Sequence, residues 1–421
     1  MKKRYSITFL QDGISRAFTP EEQVRESGSR WQDLLKDLHG DAWGKCGCPG
    51  SGLKALTIRH TTSTGYYSPV KKPLTGAEHA PDCVFHSVIN DFSKAVYGGT
   101  VIRENDDGTV NVVLAVGLRQ REPSAKSDAP VRPPRPALIA GGGQPDMKLA
   151  GLLHLLWDMS SLNRWYPWFA GKRFTGSVHG WLRAQSDNIL VRGTRLSDVL
   201  LAGAVKDSEQ ALANRETVKS VIREHQRPVI ITRLRKWRKE DASFNTGALP
   251  VRDFWGLPEM LISRGRFNRL AVHYPRAFAA WQRGDDVVAI VLAETPAWDV
   301  ASRNYRTRVL RIALMAVSKE WVPFESSYEK RVEEALRSQK RSFIKPLRYD
   351  ARDEDTFPDF LLTDTRSSRP VPMEVFGMAT LEYIVRREKK KEYYNRNYTP
   401  AGWWYWSPPE SGEDMPPFPS R

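Results

Sequence analysis

Residues Val371–Phe376 read Val-Pro-Met-Glu-Val-Phe, which puts one carboxylate, Glu374, in the middle of an otherwise apolar extended run. An unpaired buried carboxylate is costly enough that a chain folding around this segment must bring a cation to it, either a metal ion or an ammonium group. The flanking sequence supplies candidates for both. Upstream, Pro358-Asp359 opens a second apolar run, and the polar stretch Asp364–Arg369 between the two reads as a turn, with Asp364 serving turn geometry. Alternation along the strands places Glu374 on the face away from Met373 and Val375, and the hairpin directs Asp359 and Glu374 toward one cavity. After Gly377, Tyr383, Arg387, Lys390 and Lys391 fall on one face of a helical pattern, with Arg386 and Lys389 turned toward prospective phosphates. Two converging carboxylates are oxygen ligands for Mg²⁺ or Mn²⁺. An ammonium group beside them can orient an attacking water or stabilise charge developing on phosphorus. The pattern points to metal-assisted phosphodiester hydrolysis. A Glu374–lysine ion pair in a scaffold without activity is the competing reading.

Pro358-Asp359, then a turn, then Met373-Glu374-Val375 resembles the PD-(D/E)xK, or restriction-endonuclease-like, nuclease superfamily. The resemblance implies an αβββαβ core over residues 321–407, with Asp359 and Glu374 holding a catalytic Mg²⁺ or Mn²⁺. It also implies a helix glutamate assisting the metal, and Glu329, ahead of the expected strand Phe343–Tyr349, takes that place. Ser326 with Glu329 three residues on is equally a capping box, so a structural role competes for this glutamate. The lysine usual two residues after the second acid is Phe376 here. Some branches carry it on the next helix in a G…Y-x₃-R-x₃-K pattern, which Gly377, Tyr383, Arg387 and Lys391 approximate, with Lys390 adjacent. The expected catalytic set is therefore Asp359, Glu374, Glu329 and either Lys390 or Lys391.

The other chemical feature lies near the N-terminus. Cys46-Gly47-Cys48-Pro49-Gly50 forms a tight knuckle, and His79 and Cys83 follow in a Gly-x-x-His-x₃-Cys run. The chain has three cysteines, too few for a disulfide framework, and all fall inside this segment. Three thiolates and an imidazole make a tetrahedral Zn²⁺ set with no position left for water, so the expected zinc is structural. His86 is an alternative fourth ligand, and small buried thiols are the bland alternative. The spacing resembles the SWIM-type zinc finger, except that the second pair is His-x₃-Cys rather than Cys-x-His. The whole layout, C-x-C, G-x-x-H-x₃-C, the central Leu149–Trp157 pattern and the PDF…EVFGM tail, resembles a three-cysteine bacterial domain-of-unknown-function family. That family is carried on plasmids and conjugative elements, which implies a partner in conjugation or mobile-element machinery.

Between these features, 121–146 is rich in Pro, Gly, Ser and charge and reads as a flexible linker. The expected fold class is mixed, multidomain α/β. A small N-terminal α+β zinc module (1–120) precedes the linker, a central mixed α/β domain (147–320) follows, then the nuclease-like domain (321–407) and a disordered tail (408–421). Periodicity predicts strands at Tyr5–Phe9, Leu53–Arg59, Pro228–Arg233, Asp285–Leu292 and Gly402–Trp406, and a hairpin over Val101–Arg119. It predicts helices over Glu22–His39, Met147–Trp157, Val178–Ala184, Ser208–Glu224 and Ser302–Lys319, with Arg195–Ala202 as a helix or helical turn and His154 as a core histidine.

No apolar run reaches the ~20 residues of a membrane-spanning helix, and the first residues, MKKRYSITFLQDGIS, lack a secretory core. A cytoplasmic protein without membrane contact is expected. No P-loop motif is present. The net charge of +15 instead favours a polyanionic partner, with nucleic acid first and DNA above RNA. Two basic clusters with interleaved aromatics are the candidate contacts: Arg233, Arg235, Lys236 and Arg238 around Trp237, and Arg264, Arg266 and Arg269 around Phe267. Arg386 and Arg387 add to them beside the carboxylates. Two functions follow: a metal-dependent DNA endonuclease of a mobile element, or a non-catalytic, zinc-containing nucleic-acid-binding accessory protein.

Overall fold

The computed structural model describes residues 3–11, 14–23, 29–39, 43–61, 66–71, 76–80, 82–86, 102–104, 110–114, 116–119, 147–244, 247–347, 358–367, 370–378, 380–398, 402–412 and 414–421. The expected linker, 121–146, lies outside them. The fold is mixed α/β, and the chain divides into two compact units, 1–99 with 104–109 and 100–103 with 110–421.

The first unit is built on a five-stranded antiparallel sheet of order Ile14–Phe18, Ile7–Gln11, Trp43–Cys46, Ala55–Thr61, Tyr66–Lys71. Ile7 and Phe9, two residues apart, send both side chains into the core with Leu56 and Ile58. Helix Arg30–Asp37 covers this face with Trp31 and Leu35, and Ser29 caps it by accepting from the Gln32 amide. The helix is shorter than the Glu22–His39 pattern because it starts at that cap. The Gln32 side chain, bonded both to the carbonyl and to the N–H of Tyr67, fixes the helix to the sheet edge.

In the second unit the largest sheet has the order Leu200–Ala202, Val229–Arg233, Asp286–Ala293, Asn304–Val317, Glu259–Ile262, Gly247–Ala248. Its first two strands are parallel and joined through helix Glu209–Arg223. The predicted helix over Ser302–Lys319 is corrected to the 14-residue strand Asn304–Val317. The buried positions Thr307 and Val309 alternate with the half-buried Arg306 and Leu310 and the exposed Arg308. Residues 313–317 are then buried on both faces along the antiparallel partner Asp286–Ala293. Arg195–Ala202 is likewise a 3₁₀ turn at Leu196–Asp198 followed by the strand Leu200–Ala202. Ile102–Glu104 and Val110–Val112 lie side by side in a four-stranded sheet, while the turn of their predicted hairpin falls outside the described residues.

The third sheet positions the carboxylates. Its order is Trp404–Trp406, Val371–Val375, Phe360–Leu362, Phe343–Ile344, Arg164–Trp165. Helix Ser327–Ser338 precedes Phe343–Ile344, and helix Leu381–Asn397 lies between Val371–Val375 and Trp404–Trp406, so from Ser327 to Trp406 the elements of the described residues run α, β, β, β, α, β. Val332 and Leu336, four apart on the first helix, pack on Phe343, Phe360, Met373 and Trp406. Strands 371–375 and 404–406 pair in parallel, and the long second helix makes that crossover possible. The tail after Ser407, expected to be disordered, packs back onto this core. Phe418 and Met415 are apolar enough to join it, and the Pro419 carbonyl accepts from the buried Arg341 at 2.8 Å.

Candidate functional site

Strand register delivers the acid pair. Phe360 stands opposite Met373 in an antiparallel pair, so Asp359, one residue earlier, stands opposite Glu374, one residue later. Asp359 Oδ2 accepts from the Val375 amide at 2.8 Å, which locks the carboxyl beside the second strand. Both acids line a cavity of about 570 Å³ together with Glu329, Lys345, Tyr383 and Lys390.

Glu374 is 1% exposed. Lys390 Nζ sits 3.0 Å from each of its oxygens, and the Tyr394 hydroxyl donates to Oε1 at 2.8 Å. Burial first, and then the Asp359 charge, push Glu374 up to about 8, with Lys390 and Tyr394 pulling the other way. Burial and the two acids also hold the Tyr383 and Tyr394 phenols above the ordinary tyrosine range.

A second ion pair lies on the other side of Asp359. Lys345, directly after strand Phe343–Ile344, donates to Glu329 Oε2 at 2.8 Å and lies 3.9 Å from Asp359 Oδ1. Burial alone would lower Lys345, but Glu329 and Asp359 outweigh it and keep the ammonium charged. Burial also lifts Glu329 to about 7, opposed chiefly by Lys345. The capping role of Glu329 is half realised: Ser326 Oγ accepts from its amide at 3.1 Å, while its carboxylate accepts from the Glu325 amide rather than closing the box on Ser326. Three carboxylates and two ammonium groups thus follow one another along one wall, in the order Glu329, Lys345, Asp359, Glu374, Lys390, with the two acids Asp359 and Glu374 side by side.

Of the residues expected on the helix face, Tyr383, Arg387 and Lys390 line the cavity, and Arg386, expected to point elsewhere, lines it too. Lys391 does not. At about 100° per residue it is turned away from Lys390, where it pairs with Glu388 at 3.2 Å and covers the Tyr405 ring. Arg387 is buried and pairs with Glu388 and Glu410, whereas Arg386 is exposed. Lys345 and Tyr394 were missed from sequence. For Lys345 the signal was the one that marked Glu374, a charge inside an apolar run, here Phe343-Ile344-Lys345-Pro346-Leu347.

In the first unit, Cys46, Cys48, His79 and Cys83 form one buried cluster, with ligand atoms all within 4.8 Å of one another. His79, not His86, completes it. Its Nδ1 lies 3.6 Å from Cys48 Sγ and 3.7 Å from Cys83 Sγ, and the Cys46 and Cys83 sulfurs are 3.7 Å apart. All three cysteines are free. Backbone amides of Ala80 and Phe85 point at the sulfurs of Cys48 and Cys83. Gly50 lets the two ligand pairs close, because a Cβ there would lie 2.1 Å from the Glu78 carbonyl oxygen. Its neighbour Cys83 pulls Cys46 down, while Cys46 and burial push Cys83 up to about 12. Soft ligands this close suit a tetrahedral metal ion.

The basic clusters separate on inspection. Arg233 is buried, bonds Asp253 and Thr175, and stacks on Trp321, so it is a core residue and reaches no phosphate. Arg235 forks onto Asp241 and Lys236 pairs with Asp286, leaving Arg238 exposed. Trp237 is partly buried and packs edge-on against Trp281, and Phe267 is buried and stacks on Phe244, so the Phe267 ring is closed to bases. Around helix Arg264–His273 the charge is less compensated. Arg264 and Arg269 are exposed, and burial, then Arg311 and Arg269, hold Arg266 below the ordinary arginine range.

These features belong to a mixed α/β chain with one soft-ligand cluster and one carboxylate cavity. Residues 20–409 match the model of a family described as a protein of unknown function (DUF1173), and the chain belongs to that family. No match was found among curated proteins or among solved structures. No helix among the described residues is long and apolar enough to cross a membrane.

Proposed function

We propose that the chain is a metal-dependent nuclease of the PD-(D/E)xK type that cleaves DNA, within a mobile or conjugative element. The observation that carries this reading is Asp359 held opposite Glu374 at one cavity, flanked by Lys345 and Lys390. The α, β, β, β, α, β order around it supports the same reading. The donor set fits a hard divalent cation, since both acids offer oxygens to the cavity. Asp359 and Glu374 would hold Mg²⁺ or Mn²⁺, which supplies Lewis acidity and an acidified water when bound. The chain's own contribution is positional. The Val375 amide aims Asp359, Tyr394 aims Glu374, and Lys345 keeps a fixed positive charge beside the site. Exposed Arg386 at the cavity, and Arg264, Arg269 and Arg311 elsewhere in the unit, suit a phosphate backbone.

In the first unit, Cys46, Cys48, His79 and Cys83 would hold a structural Zn²⁺. A second reading, a non-catalytic nucleic-acid-binding accessory protein, is favoured by one observation: Lys390 and Tyr394 already satisfy Glu374. Supercoiled, linear and single-stranded DNA incubated with Mg²⁺ or Mn²⁺ separates the two. Cleavage by the wild type, lost in Asp359→Asn and Glu374→Ala, is the expected result. DNA binding without cleavage in every condition supports the accessory protein instead.

A further inference from the structure

We propose that Lys390 is a displaceable counterion, whose ammonium group keeps the place of a divalent cation on Glu374 and gives it up when the cation arrives. The inference rests on the metal-dependent reading above. Glu374 Oε1 accepts from Tyr394 at 2.8 Å and from Lys390 at 3.0 Å, and Oε2 accepts from the same Nζ at 3.0 Å. At 1% exposure the carboxylate has little other open surface. A cation entering from the cavity therefore meets an ammonium group already seated across both oxygens. The two cannot share those lone pairs, and like charges repel at that distance.

The two lysines differ in their freedom to leave. The Lys390 side chain is 20% exposed, lines the cavity and stands on a flexible four-carbon stem, so its ammonium can swing to solvent. Lys345 is 5% exposed, held at 2.8 Å by Glu329 and at 3.9 Å from Asp359, and covers the Phe360 ring. Its departure would strand two acids without a counterion. Lys345 is thus the permanent positive charge of the site, and Lys390 is the partner that the ionised Glu374 keeps until a metal replaces it. This arrangement lets an acid sit in an apolar strand before any metal is present.

Removing Lys390 should then strengthen cation binding rather than abolish it. Mn²⁺ is titrated into the full chain without nucleic acid, and free Mn²⁺ is read from its electron paramagnetic resonance signal. The wild type, Lys390→Met and Glu374→Gln are compared, the last marking which Mn²⁺ belongs to this site. The expected result is a Glu374-dependent site that binds Mn²⁺ at least about tenfold more tightly in Lys390→Met, a difference of about 1.4 kcal/mol. Equal or weaker binding in Lys390→Met overturns the counterion role while leaving the metal site standing. A wild type and a Lys390→Met variant that both lack any Glu374-dependent Mn²⁺ site overturn the metal reading and this inference together. Melting curves cover a variant that is poorly folded without metal. Recovery of Lys390→Met by Mn²⁺ supports the proposal, and failure to recover overturns it.

Discussion

The Cys46–Cys83 cluster and the Asp359–Glu374 cavity are both sets of potential metal ligands, yet they are built on opposite plans. In the cluster, three sulfurs and an imidazole converge in full burial, and the ammonium group of Lys54 donates to the Cys48 carbonyl at 2.6 Å, to the backbone and not to a sulfur. At the cavity, Glu329, Asp359 and Glu374 each lie beside a cation: Lys345 between the first two, Lys390 on the third. A site that supplies no counterion depends on the metal for its folding; a site that carries its own can wait. The first plan suits a permanent ion, and the second, on the metal-dependent reading proposed above, would suit an exchangeable one.

The largest expected effect follows from the first plan. Cys46→Ser, or prolonged chelation, should remove the metal and melt the first unit, since structural zinc contributes on the order of 10 kcal/mol of folding free energy. Zinc content and a thermal scan of the same sample check it. A chain that binds no zinc and melts unchanged after chelation breaks the contrast. Gly50→Ala should act in the same direction, because its methyl would collide with the Glu78 carbonyl between the ligand pairs.

The next effect compares a lysine inside the cavity with one outside it. Lys345→Met leaves Glu329 buried and unpaired, which should cost about 3–5 kcal/mol in denaturant unfolding. Lys391→Met loses a pair with the half-exposed Glu388 and should cost less than about 1 kcal/mol. Similar losses for the two would mean that Lys345 is not the fixed charge of the site.

How much of this could be read in the chain depended on whether a residue's partners were local. Glu374 announced itself by polarity in an apolar run, and the hairpin period brought Asp359 to it, as the register shows. The cysteine set was readable because C-x-C and H-x₃-C are short motifs. Lys345 carried the same mark as Glu374, but its partners lie 16 residues away on the Glu329 helix and 14 away at Asp359, and nothing local ties them together. The strand Asn304–Val317 does not show its period in the sequence because burial on both faces over residues 313–317 erases the alternation. Arg233 in its basic run looked like a phosphate contact because Asp253 and Trp321, which bury it, are far along the chain.

The smallest effect is one of pH, and it tests the cavity's plan directly. Burial and Asp359 raise Glu374 from 4.5 to about 8 in the folded state, so the folded protein binds a proton that the unfolded chain has released. Stability from this group is then fully present below the unfolded value and is lost as pH climbs toward 8. Glu374→Gln cannot titrate, so it lacks that loss. The melting temperature of the wild type should fall relative to Glu374→Gln between pH 5 and pH 8, in metal-free buffer. Saturating Mn²⁺ should shrink the difference, because an ion on the carboxylate favours its charged form as Lys390 does. A gap that stays flat over that range would mean that Lys390 and Tyr394 hold Glu374 ionised throughout it, against the burial that favours its protonated form.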